Sequence, residues 1–175
     1  MNKKSLQKLR KDTLIKLIQV YSKNWVTVDG LWFKGVEDRF GTDVAVELDL
    51  QMWRKQAAIE TKRLLEIFGP VGKSPQDVLD VINTMTFSNV LSFEVEKVDS
   101  SGAIFSYPRC PMQEARVKQG RGVFPCKDMG MATYGTCTEM VNPELKLKCI
   151  FCPPDDHPDD CWCKWEIYLP SAPSS

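Results

Sequence analysis

The chain has 175 residues, 43% of them apolar and 26% charged, which is ordinary for a globular protein long enough to bury one sizeable core. Its 23 Lys and Arg balance 23 Asp and Glu, which argues against a nucleic-acid binder working through bulk charge. No apolar run approaches the roughly 20 residues of a membrane helix. Lys and Arg also interrupt the N-terminal amphipathic segment where a signal peptide needs an unbroken apolar centre, so a cytoplasmic location is expected.

Residues 5–22 predict a first helix. Leu6, Leu9, Thr13, Leu14, Leu17, Ile18 and Tyr21 recur at spacings of three and four, a stripe read as core-facing. Asn24 is a plausible N-cap for a second helix over 25–39, with Trp25, Val28, Trp32 and Val36 on one face and Gly41 ending it. A third, long helix is expected over about 42–68, capped by Thr42 and stopped by Gly69-Pro70. Glu60 lies on or beside its apolar seam, as an ion-paired side chain or as a carboxylate facing a pocket. Ser74 with Pro75 starts a fourth helix, 75–86.

The period then changes to two. Residues 90–98 read as a strand, Asp99-Ser100-Ser101-Gly102 as a turn, and 103–107 as the returning arm of a hairpin. A polar helical segment over 112–118 follows Cys110-Pro111. Arg116, Lys118 and Arg121 make a local basic patch, read as a solvated face or, in the alternative, as a contact for an anionic ligand group. Residues 126–141 carry Cys126, Gly130, Thr133 and Cys137 at helical spacing, and the small Gly130 would permit close packing on a sheet. Strands are expected over 144–151 and 161–169, before a Pro/Ser-rich tail. The fold class is therefore α+β in a single domain over 1–170. Its helical part is 1–88, its sheet and cysteine-rich part 89–170, and 171–175 is expected to be a disordered tail.

Seven cysteines, an odd number, leave at least one thiol unpaired. In a reducing cytoplasm, clustered cysteines point to metal ligation or redox chemistry rather than to disulfides. Strand alternation puts Cys149 and Cys163 where they can meet across an antiparallel pair. Cys126, at a helix start that favours thiolate, could supply a third ligand. Cys161, Cys152, His157 or an exogenous group could be the fourth. Soft thiolates beside an imidazole suit zinc. The alternatives are an iron–sulfur or other redox centre, or inert thiols. A Gly-rich phosphate loop, a GxSxG turn and a paired-His motif are all missing from the sequence, which weighs against nucleotide hydrolysis and serine hydrolysis.

Arg109-Cys110-Pro111-Met112-Gln113-Glu114-Ala115, Phe124-Pro125-Cys126-Lys127, Asn142-Pro143, Cys149 and Cys161-Trp162-Cys163-Lys164-Trp165-Glu166-Ile167 together resemble the L-2-amino-thiazoline-4-carboxylic acid hydrolase-like family. More distantly, the C-terminal half is similar to 4-vinyl reductase-like domains, which share their fold with haem-based nitric-oxide sensors and a vesicle-tethering subunit. The resemblance implies N-terminal helices packed on a small antiparallel sheet with an apolar ligand pocket between them. It matches Cys126, Cys149 and Cys163 to zinc-holding cysteines. Lys146 stands where the family's fourth ligand, a Glu, would be.

The expectation is thus a small-molecule-binding domain with a Cys-ligated structural zinc, Trp25, Trp32 and Trp53 forming core and pocket wall. A hydrolase of a thiazoline or cyclic amidine is the alternative, with His157 and Glu60 as its first acid–base partners. The third reading is a redox or iron–sulfur protein. A small molecule is the expected partner, nucleic acid and membrane are not, and a homodimer is left open.

Overall fold

The computed structural model describes residues 3–69 and 72–170, so the expected stop at Pro70 and the tail 171–175 lie outside the described residues. The helices are α1 (Lys3–Gln7), α2 (Lys11–Phe40), α3 (Thr42–Phe68), α4 (Pro75–Thr84), α5 (Pro111–Lys118) and α6 (Lys127–Val141). The strands are β1 (Glu94–Val98), β2 (Gly102–Tyr107), β3 (Lys146–Phe151) and β4 (Cys163–Tyr168), with a 3-10 turn at Thr86–Asn89. The class is α+β, as the change of period from helical to alternating predicts.

The expected break at Asn24 does not occur. Residues 11–40 form one continuous helix, because Asn costs a helix interior only a fraction of a kcal/mol, whereas a break would cost several backbone hydrogen bonds. Gly41 then turns the chain by itself, at φ 88°, and its N–H donates to the Glu37 carbonyl. This positive φ is open to glycine at little cost. Thr42 is inside α3 rather than capping it, and its hydroxyl donates to Glu37 Oε1 at 3.0 Å. Ser74 does cap α4: the Ser74 and Asp77 side chains satisfy each other's backbone N–H groups in a capping box.

The four strands make one antiparallel sheet in the order β1-β2-β4-β3. β1 starts at Glu94 rather than at residue 90, because Phe87 and Leu91 turn inward around the 3-10 turn. All five β1 residues are exposed, and its charged side chains protect an open sheet edge. The core lies between the other three strands and the helices α4 and α6. Leu79, Ile82, Phe105, Tyr107, Trp165 and Ile167 are each at most 1% exposed there. Each such side chain contributes about 1.5–3 kcal/mol on burial. α3 lies along α6, and α2 packs against α3 and the 3-10 turn.

Two contacts between distant segments hold the helices in place, one of helix on sheet and one of helix on helix. Gly130 on α6 lets the helix approach the Trp165 ring so closely that any Cβ would collide with it. The second is an ion cluster that joins α2 to α5 and the loop after it, with Glu37 and Arg116 largely buried and Asp38 half exposed. Arg116 donates to both oxygens of Glu37 at 3.0 and 2.8 Å, and Arg121 bridges Glu37 and Asp38 at 2.7 and 2.6 Å. The Arg116 guanidinium also lies near the Phe33 and Phe124 rings. The basic patch is therefore not a solvated face at these two positions. The acids that neutralise it are 79 to 84 residues away in sequence, beyond the reach of local pattern.

Candidate functional site: a cysteine-walled cavity

Two helix starts and two strand ends meet at one end of the core. Cys110 is the N-cap of α5 and Cys126 the N-cap of α6. Cys152 follows the last residue of β3, and Cys163 is the first residue of β4. All four border a cavity of about 170 Å3, otherwise walled mainly by Trp53, Phe87, Leu91, Met112, Phe124, Met129, Tyr134 and Trp165. Asp29 and Asp49 also border it. A second depression of about 490 Å3, between α2 and α5, shares Asp29, Asp49, Met112 and Phe124 with the first.

The sulfurs of Cys126 and Cys152 are 3.6 Å apart. The Cys152 thiol is poised to donate to both Cys126 and Cys163, and these contacts, with burial, push it far above the ordinary thiol value. Cys126 is held below that value, first by the Cys152 contact, against burial, and then by a donated N–H from Gln113. Gln113 is buried and spends its amide fully. Its Oε1 accepts from Phe124 N at 2.8 Å, while its Nε2 donates to Phe124 O at 2.7 Å and to Cys126 Sγ at 3.3 Å. Burial leads in pushing Cys110 up to about 12, with Cys126 and Cys163 adding to it, against lowering hydrogen bonds from the Gln113 and Met112 N–H groups at the helix start.

Cys149 pairs with Trp165 across the sheet and is half-buried on the core side, but does not line the cavity. Burial leads in raising it to about 11, and it feels both Cys126 and Cys163. The irregularity in the ladder after Cys149 shifts the alternation by one residue, so that Cys152, three residues on and just past β3, comes inward. Cys161 precedes β4, and its thiol donates to the Cys163 carbonyl at 3.5 Å. His157 packs on the Trp162 ring at 5.0 Å, with Nδ1 2.9 Å from the Pro158 carbonyl, so neither it nor Cys161 lines the cavity.

The predicted pocket residues divide in the same way. Trp53 lines the cavity and meets Phe87 edge to face at 6.4 Å. Trp25 and Trp32 do not line it; Trp32 is 73% exposed, and the expectation that these two belong to core or pocket wall is corrected by their outward direction on α2. Glu60 is buried, but both its contacts are structural: Oε1 accepts from Thr86 N at 2.7 Å and Thr86 Oγ1 at 2.6 Å, fixing the 3-10 turn. Sequence reasoning gave no role to Gln113, Asp29 or Asp49; Gln113 lies within the Arg109–Ala115 stretch, but nothing there sets it apart from its neighbours. Burial, then the Asp29 charge, pushes Asp49 up to about 7, against a lowering hydrogen bond from the Trp53 indole.

A family model covers residues 7–169, nearly the whole chain. The chain belongs to the family of unknown function DUF6125. No curated protein matches it. No solved structure matches it either.

The donor set of this DUF6125 chain can be tested against a thiolate metal site. Zinc–sulfur bonds of about 2.3 Å in tetrahedral geometry put sulfurs about 3.8 Å apart, close to the Cys126–Cys152 separation of 3.6 Å. Among the described residues, no three His, Cys, Asp or Glu side chains are drawn together closely enough to form a complete metal-holding group. One edge of a tetrahedron therefore has the right spacing. Cys163, in contact with Cys152, is the nearest third donor, and Cys110 and Cys149 are the candidates for a fourth.

Proposed function

We propose that this DUF6125 protein is a small-molecule-binding domain in which Cys126, Cys152 and Cys163 hold a zinc ion at one end of an apolar cavity. The observation that carries the reading is the Cys126–Cys152 sulfur pair, 3.6 Å apart on the wall of that cavity. The two thiols come from different elements, α6 and the turn after β3, so an ion between them would tie helix to sheet. Such ligation contributes about 10–16 kcal/mol of apparent binding energy in small zinc peptides, enough to decide whether this half folds. The resemblance to zinc-holding cysteines supports Cys126 and Cys163, with Cys152 taking the place expected of Cys149. A reducing cytoplasm is where seven free thiols would persist.

The cavity wall supports the ligand half of the reading. Apart from its four cysteines it is mainly aromatic and aliphatic, with Asp29, Asp49, Gln113 and Thr133 as its polar groups, a make-up that suits a small-molecule site. A hydrolase would further need an acid–base partner beside the metal. His157 and Glu60 are both engaged away from the cavity, so the binding role is preferred.

Metal analysis of protein purified without added metal tests the proposal. About one equivalent of zinc per chain is expected, lost in Cys126→Ser and Cys152→Ser and kept in Cys161→Ser. Full retention in the first two variants contradicts it, as does iron with acid-labile sulfide in place of zinc.

A further inference from the structure

The N-terminal two-thirds of α2 leaves an apolar seam uncovered. Ile18, Tyr21, Trp25, Val28 and Trp32 are 53%, 59%, 37%, 64% and 73% exposed. They recur at alternating steps of three and four, with Leu14 one step earlier. That is the a/d spacing of a coiled-coil seam, and it suits another helix rather than a flat or irregular surface. The inner face of the same helix, with Ser22, Phe33 and Val36, is already packed or half-packed on the protein body.

The total surface gives the scale of what is uncovered. The chain exposes 11056 Å2, against about 8,700 Å2 expected of a folded monomer of 19.9 kDa. The nine residues outside the described ranges could account for about 1,400 Å2 even at full extension. About 1,000 Å2 of excess remains over the whole chain, the α2 seam contributing to it, against the roughly 800 Å2 each partner buries in a standard interface.

We propose that α2 pairs antiparallel with α2 of a second copy of this chain along the Leu14–Trp32 seam, making a two-fold dimer. The seam is self-complementary in that direction. Antiparallel packing sets each a position against a d position of the other helix. With Leu14, Tyr21 and Val28 as d and Ile18, Trp25 and Trp32 as a, the layers are Trp32 with Leu14, Val28 with Ile18, and Trp25 with Tyr21, each occurring twice about the axis. Every bulky indole meets a different residue type, and no position of the seam is left over. On the open flank the pairs are Leu17 with Leu31 and Asn24 with Asn24, so no like charges are opposed, while Ser22 and Asp29 on the other flank face the protein's own body. Lys16, Lys23 and Lys34 fall on the outward positions. Two-fold homodimers are the commonest closed assembly, and an isologous interface requires this self-matching.

Light scattering coupled to size exclusion at about 50 µM tests it, with Ile18→Lys and Val28→Glu made separately. The parent should elute at about 40 kDa, twice the 19.9 kDa protomer. Each variant alone should fall to the protomer mass with unchanged helical circular dichroism, since both positions face solvent in the protomer. An equimolar mixture should recover the dimer, because one Val28–Ile18 layer then becomes a Glu–Lys pair while its symmetry mate stays apolar. A monomeric parent overturns the proposal. So does a parent dimer that neither variant weakens, or a mixture that stays monomeric.

Discussion

Gly130 of α6 and Trp165 of β4 are in closest approach: a Cβ on Gly130 would stand 2.5 Å from two carbons of the indole ring, Cζ2 and Cη2. Trp165 is 1% exposed and walled in by Tyr134, so it cannot swing away. In Gly130→Ala the helix gains about 1 kcal/mol of propensity and loses about 2–3 kcal/mol to overpacking against the buried ring. A net destabilisation of about 1–2 kcal/mol is expected in urea unfolding. Unchanged or raised stability would show that α6 can slide on the sheet.

Gln113 holds three elements in one amide. Gln113→Leu keeps its bulk but leaves the Phe124 N–H and carbonyl without partners, at a cost of about 2–4 kcal/mol. It also removes the N–H donated to Cys126 Sγ. Loss of such a supporting contact typically weakens a metal about 10–100-fold. A competition titration with a zinc chelator, read beside the melting temperature, should show both effects.

How far the sequence discloses this protein is clear from such residues. The α3 boundaries, the Ser74 start of α4, the hairpin and the Gly130 contact follow from local rules, because propensity, capping and periodicity act over a few residues. Convergence of cysteines near Cys126 and Cys163 was also legible, through alternation along β4. The exchange of Cys149 for Cys152 at the cavity was not, because it depends on where the β3–β4 ladder becomes irregular. The Trp25 and Trp32 stripe has core periodicity but an outward direction, since periodicity identifies an apolar face without saying what covers it. Asp49, Gln113 and the Arg116–Glu37 pairing depend on contacts between distant segments.

The Glu37 cluster gives an acid-side test. Hydrogen bonds from Arg116 lead in holding Glu37 down at about 2, below its ordinary 4.5. Its contribution is therefore complete above about pH 4.5 and is lost as pH falls through about 2. Glu37→Ala leaves Arg116 largely buried without its partner and should cost about 2–3 kcal/mol at neutral pH. The difference from the parent should shrink below pH 4. A constant difference down to pH 2 would mean the cluster contributes packing alone.

Asp49 acts in the opposite direction. Its folded value is raised from 3.8 to about 7, so between these limits the folded state binds the extra proton and stability falls as pH rises. Asp49→Asn should remove that slope, giving a stability gain over the parent that grows from pH 4 to pH 7 and levels above it. The expected gain is on the order of 2 kcal/mol after allowance for partial exposure. Melting curves of both proteins across this range check it; parallel profiles would place Asp49 in an ordinary solvated setting.

The claim of a thiolate-held ion is tested most directly by zinc K-edge X-ray absorption on the full chain purified without added metal. The account predicts a first shell dominated by three or four sulfurs at about 2.3 Å, with that shell lost in Cys152→Ser. A shell of nitrogen and oxygen at about 2.0–2.1 Å, or a spectrum unchanged by Cys152→Ser, would contradict it.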